Sequence, residues 1–86
     1  MTSDTVRYQE NEIRQLLSNS VTLAKDMAEV PSDVPLSTVG LNSIKFIKFL
    51  IEFEKRYSFL VPEEEMVIEN FESIEKIAQY LAKKVV

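Results

Sequence analysis

The chain has 86 residues, enough for one small domain, and its 45% hydrophobic and 28% charged content is that of a globular protein rather than a disordered one. It has no His and no Cys, which excludes an imidazole base, a disulfide and any zinc site built on thiolate or imidazole. Ten basic against fourteen acidic residues, a net charge of −4, leave no basic stripe for a nucleic acid, and no apolar run reaches membrane-spanning length. The stretch from Met1 to Glu12 is polar and lacks the apolar centre of a signal peptide, so a cytoplasmic location is expected.

We expect one domain over residues 1–86, frayed over residues 1–4. Asp4 or Thr5 is a candidate cap for a first helix, and Ile13, Leu16, Leu17, Val21 and Ala24 keep helical spacing, which predicts a helix from about Thr5 to about Ala24. Pro31, Pro35 and Gly40 then interrupt any regular element, and Ser32, Asp33, Ser37 and Thr38 are turn formers. Residues 27–42 therefore read as a long ordered loop, pinned to the core by Leu36 and Val39. Helix two is predicted from Ser43 to about Tyr57, with no Pro or Gly to break it. A break at Ser58 to Pro62 precedes a short helix to about Glu69, in which Glu63, Glu64 and Glu65 favour the first turn and Met66 and Val67 follow. That carboxylate run is a solvated helix start rather than a metal cage, and no metal site is predicted. Phe71 reads as a plug between elements. A last helix, about Ser73 to Lys84, places Ile74, Ile77, Ala78 and Leu81 on one face, with Lys83 and Lys84 at its C-terminal end. The fold class is all-α: a small four-helix bundle of three main helices and one short one.

Helix two is apolar on two sides. With about 100° per residue, Phe46, Phe49, Leu50, Phe53 and Tyr57 gather on one face, while Ile44, Lys48, Ile51 and Lys55 gather on the other and Ile47 lies on the flank. The aromatic face belongs to the core. The isoleucine face is either a docking patch for a partner or is covered by the loop or the short helix. Lys45 and Lys48 make this region locally basic on an acidic chain, which would suit a partner with acidic groups; a plain solvated helix face is the competing reading.

Ser43 opens this helix. A serine there is most often an N-cap. Three residues on stands Phe46, so no capping box is centred on Ser43, and Asn42 can cap equally well. With Asn42 as the cap, the Ser43 hydroxyl is free at a helix N-terminus, where the partial positive charge favours a phosphodiester.

Pro35-Leu36 followed by Val39-Gly40-Leu41-Asn42-Ser43-Ile44-Lys45 resembles the phosphopantetheine attachment site of acyl and peptidyl carrier proteins, commonly Gly-Leu-Asp-Ser-Leu or Gly-Leu-Asp-Ser-Ile. The likeness runs from about Ile13 to Lys84 and includes Glu52-Phe53-Glu54-Lys55-Arg56-Tyr57, Val61-Pro62-Glu63-Glu64, and Phe71 ahead of Ile74, Ile77, Ala78 and Leu81. The resemblance implies a non-enzymatic carrier. A phosphopantetheinyl transferase would attach 4'-phosphopantetheine to Ser43, and the arm's thiol, absent from the chain itself, would hold an acyl or aminoacyl group as a thioester. It also implies docking of loading and downstream enzymes through Ile44, Lys45, Lys48 and Ile51, with the short helix near Met66 completing the surface. Asn42 departs from the usual Asp; the amide keeps the capping ability and loses the charge, which could narrow the choice of transferase. Lysines after the serine, and Asn70-Phe71-Glu72-Ser73-Ile74, look more like polyketide or nonribosomal peptide carriers than fatty acid carriers. A free-standing monomer is expected. The rival is a cofactor-free helical interaction module, in which Ser43 is a cap or is buried.

Overall fold

A computed structural model describes the backbone of residues 2–84 and the side chains of residues 9–84. Three helices, α1 (Thr2–Ser20), α2 (Ser43–Tyr57) and α3 (Ile74–Lys84), surround one core, and 3-10 turns at Met27–Glu29, Leu36–Val39, Glu63–Glu65 and Ile68–Phe71 shape the connections. Among the described residues there is no strand, and no helix is long and apolar enough to cross a membrane. The all-helical bundle expected from the sequence is the architecture observed.

Helix α1 is displaced from its predicted bounds at both ends. It already includes Thr2, so neither Asp4 nor Thr5 stands at its start; Met1 lies outside the described residues. No Pro or Gly interrupts this stretch. The helix stops at Ser20 rather than Ala24. The Ser20 hydroxyl bonds back to the Leu16 carbonyl at 2.5 Å, and the Ala24 N–H is taken by the Val39 carbonyl at 2.7 Å. A backbone donor given to the long loop cannot also extend a helix.

The short helix expected before residue 70 is absent as an α-helix. In its place are two 3-10 turns, with Met66 and Val67 between them and Val67 extended at φ −118°, ψ 143°. The cause is side-chain competition for this segment. Asn70 Nδ2 donates to the Glu65 carbonyl at 3.0 Å, while the Glu65 carboxylate accepts from Tyr80 Oη at 2.7 Å and from Lys84 Nζ. Those bonds hold the strip against α3. The Tyr80 and Lys84 hydrogen bonds keep the Glu65 carboxyl below its usual range, and burial, with the bond to Glu65, raises the Tyr80 phenol.

The core wheel of α2 holds. Phe46, Phe49, Leu50 and Phe53 are buried, and Tyr57 packs against them half-buried. The Phe53 ring lies 5.5 Å from Phe49, 5.3 Å from Tyr57, 5.7 Å from Phe59 and 5.9 Å from Phe71, so α2, the following turn and the plug meet on one side chain. Phe71 is wholly buried, as are Ile13 and Leu17 of α1 and Ile74 and Ile77 of α3. At the far end of α2, Glu12 of α1 accepts from Tyr57 Oη at 2.9 Å and from Arg56 Nη2 at 3.1 Å. Burial first, then the bond to Glu12, pushes the Tyr57 phenol up to about 12. Ser58 in the left-handed region, φ 55°, ends the helix with its N–H on the Glu54 carbonyl.

Replacing Phe53 with Ala should lower unfolding stability by about 3–5 kcal/mol, read from a urea transition. An unchanged midpoint would mean that this ring is not the junction of the core.

Candidate functional site

The long loop is tied at both of its flanks before it reaches Ser43. Arg14 of α1 donates through Nη1 to the Met27 carbonyl and, at 2.5 Å, to the Val30 carbonyl. The Leu36 N–H donates to the Glu72 carbonyl at 2.7 Å, and the Glu75 N–H to the Ser32 carbonyl at 2.9 Å. Leu36, Val39 and Leu41 are buried, so the loop is held by apolar anchors as well as by backbone bonds. Gly40 then turns the chain. Its φ of 102° lies where a Cβ is strained, and its N–H closes onto the Ser37 carbonyl at 3.2 Å as Leu41 N–H closes onto Leu36 at 3.0 Å.

This sharp exit delivers Asn42 in an extended conformation, φ −124°, at the N-cap of α2. Its Oδ1 accepts from the Lys45 N–H at 2.9 Å, and its carbonyl accepts from the Phe46 N–H at 2.7 Å. The cap is therefore Asn42. Ser43, the first residue of α2, is exposed, and its hydroxyl makes no hydrogen bond among the described residues. The Ser43 and Ile44 N–H groups make no hydrogen bond among the described residues either, and both residues are exposed. A free primary hydroxyl beside two unbonded amides at the positive end of a helix fits a phosphodiester.

The structure brings together most of the residues singled out from the sequence. Ile44 is 69% exposed and Ile51 48%, so neither the loop nor the 63–71 strip covers them. Ile47, placed on the flank, is 54% exposed and widens the apolar strip. Lys48 is exposed beside them. Lys45 is half-buried instead: its Nζ donates to the Thr22 carbonyl at 2.6 Å, which ties the start of α2 to the chain leaving α1. Met66 is 41% exposed, with Val67 and Ile68 alongside, on the strip between α2 and α3. The sequence reading placed Val67 on a short helix with Met66 and singled out neither Val67 nor Ile68 for the surface, where both are exposed. The Lys45–Thr22 bond had no sequence signal, since it depends on where α1 ends.

Asn42→Ala should cost about 1 kcal/mol of stability, the usual loss for a helix cap. Ser43→Ala should change it by less than about 0.5 kcal/mol, as for a surface position. Urea unfolding of the pair checks the assignment, and the reverse order would make Ser43 the cap.

The phosphopantetheine attachment site family model matches residues 11–81, an interval that contains the loop, Ser43, α2, the 63–71 strip and most of α3. No curated protein matches the chain closely enough to serve as a named relative. A family match over most of the chain, on a fold that presents a free serine at the mouth of its second long helix, places the protein: the chain belongs to the phosphopantetheine attachment site family, whose domains carry a 4'-phosphopantetheine prosthetic group.

Proposed function

We propose that Ser43 is the attachment residue and that the chain carries acyl or aminoacyl groups between the enzymes of a polyketide or nonribosomal peptide type of pathway. The observation that carries this reading is the division of labour at the start of α2, where Asn42 caps the helix and leaves the Ser43 hydroxyl exposed and unbonded. The chain contributes the nucleophilic oxygen, its placement and the two free amides beside it. Among the described residues no carboxylate or amine bonds to that oxygen, so the base that takes the hydroxyl proton belongs to a phosphopantetheinyl transferase; the oxygen attacks the pantetheine-side phosphorus of coenzyme A, the pyrophosphate P–O bond breaks, and 3',5'-ADP leaves. The bound arm supplies the thiol that holds the cargo as a thioester, a group the chain lacks because it has no Cys.

In this reading the protein is not an enzyme. It works as a cytoplasmic monomer whose α2 face receives the transferase, the loading enzyme and the downstream enzymes in turn. Ile44 and Ile51 form the apolar centre, Lys48 the charged margin, and Met66 the far edge; Lys45 adds its charge from the side while it braces the helix. Lysines in place of acidic residues after the serine support an assembly-line carrier over a fatty acid carrier.

Incubation with coenzyme A and a broad-specificity phosphopantetheinyl transferase should raise the intact mass by one phosphopantetheine, and Ser43→Ala should abolish the gain. A folded chain that gains nothing with several transferases would instead be a cofactor-free interaction module.

A further inference from the structure

Ser43 stands between two edges of opposite charge. On one side, Lys45 and Lys48 line a hollow with residues 18–22. On the other, Leu41, which leads into Asn42 and Ser43, lines a hollow of about 120 Å³ with Ser37, Ile68, Glu69 and Glu72. The geometry of α2 separates the edges. The Phe46 ring lies 5.4 Å from Phe71, so this flank of the helix faces the strip that bears Glu69 and Glu72. With about 100° per residue, the exposed Ile44, Ile47 and Ile51 fall between Lys48 on one side and the core-facing Leu50 and Phe46 on the other.

The charges at the two edges remain available to a partner. Among the described residues Lys48 and Glu69 form no ion pair. Glu72 pairs with Lys76 at 3.5 Å, but both side chains are about half exposed and solvent screens that contact. Any enzyme that reaches the Ser43 hydroxyl must lay its own surface over this region, because a specific interface covers roughly 800 Å² on each partner. It would meet the lysine edge, the isoleucines and the glutamate edge together.

We propose that the transferase that modifies Ser43 has the reverse polarity, with carboxylates against Lys48, an apolar centre against Ile44, Ile47 and Ile51, and cations against Glu69 and Glu72; this rests on the carrier reading of Ser43. A face of one sign attracts a partner without choosing its rotation about the contact. A face with both signs on opposite sides of the nucleophile sets that rotation, because a turned partner brings like charges together. The two edges therefore orient the enzyme over the serine.

The test measures kcat/KM for transfer from coenzyme A to Ser43 by the phosphopantetheinyl transferase of the same organism, at low and high salt. Lys48→Glu and Glu69→Lys should each reduce it by about twofold to fivefold at low salt, in keeping with exposed charge pairs, and the losses should shrink at high salt. Lys48→Gln and Glu69→Gln should give smaller losses in the same direction, and they decide the matter if a reversal variant unfolds. Acceleration by Glu69→Lys alongside slowing by Lys48→Glu would reveal a uniformly acidic partner and overturn the proposal, as would no change in either. Both of those results leave the carrier reading intact, whereas a wild-type chain that is never modified overturns both.

Discussion

The ring of Phe71 is wholly buried, 5.4 Å from Phe46 and 5.9 Å from Phe53 on α2 and 4.9 Å from Tyr80 on α3. The next residue, Glu72, gives its carbonyl to the Leu36 N–H, so the side chain that joins two helices also positions the backbone that grips the long loop. From Leu36 the chain reaches Ser43 through the closed turn at Gly40 and the Asn42 cap. Ser43 is thus set by the core through a short sequence of backbone bonds, although it sits on the surface. Burial of rings of this size is the main favourable term available to a domain without disulfides.

The same construction explains how a chain with so little chemistry of its own has a site. An N-cap side chain is consumed by its backbone bond, and a serine that capped α2 would offer a hydroxyl already engaged. Moving the cap one residue earlier, onto Asn42, satisfies the Lys45 N–H and leaves Ser43 unbonded. Asn in place of Asp keeps that bond and leaves the helix N-terminus without a fixed negative charge of its own. A phosphate attached at Ser43 would meet no carboxylate on the capping residue.

What the sequence made legible follows from which signals are local. The aromatic face of α2 and the apolar face of α3 were readable as side-chain type against a helical period, and the plug at Phe71 and the anchors Leu36 and Val39 as isolated large apolar residues between polar or turn-forming neighbours. Residue identity offered both Asn42 and Ser43 as caps, and the structure assigns the cap to Asn42. The end of α1 was not readable, since the Ala24 N–H is claimed by Val39 from across the loop. Nor was the 63–71 strip: three consecutive glutamates favour a helix start, but the pull of Tyr80 and Lys84 on Glu65 is tertiary and yields two 3-10 turns instead. Both misses come from one kind of cause, a non-local bond that outcompetes helix propensity worth only tenths of a kcal/mol per residue, about 0.7 at most for ordinary residues.

The claim on which the rest depends is that the exposed hydroxyl of Ser43, and no other, accepts the prosthetic group. The direct measurement is fragmentation mass spectrometry of the modified chain after trypsin, on the peptide that follows Lys25 and ends at Lys45, which contains Ser32, Ser37 and Ser43. The account predicts the added mass on fragments that include Ser43 and on none that stop before it. Added mass on Ser37, which is also exposed, or on a peptide elsewhere in the chain, would contradict it.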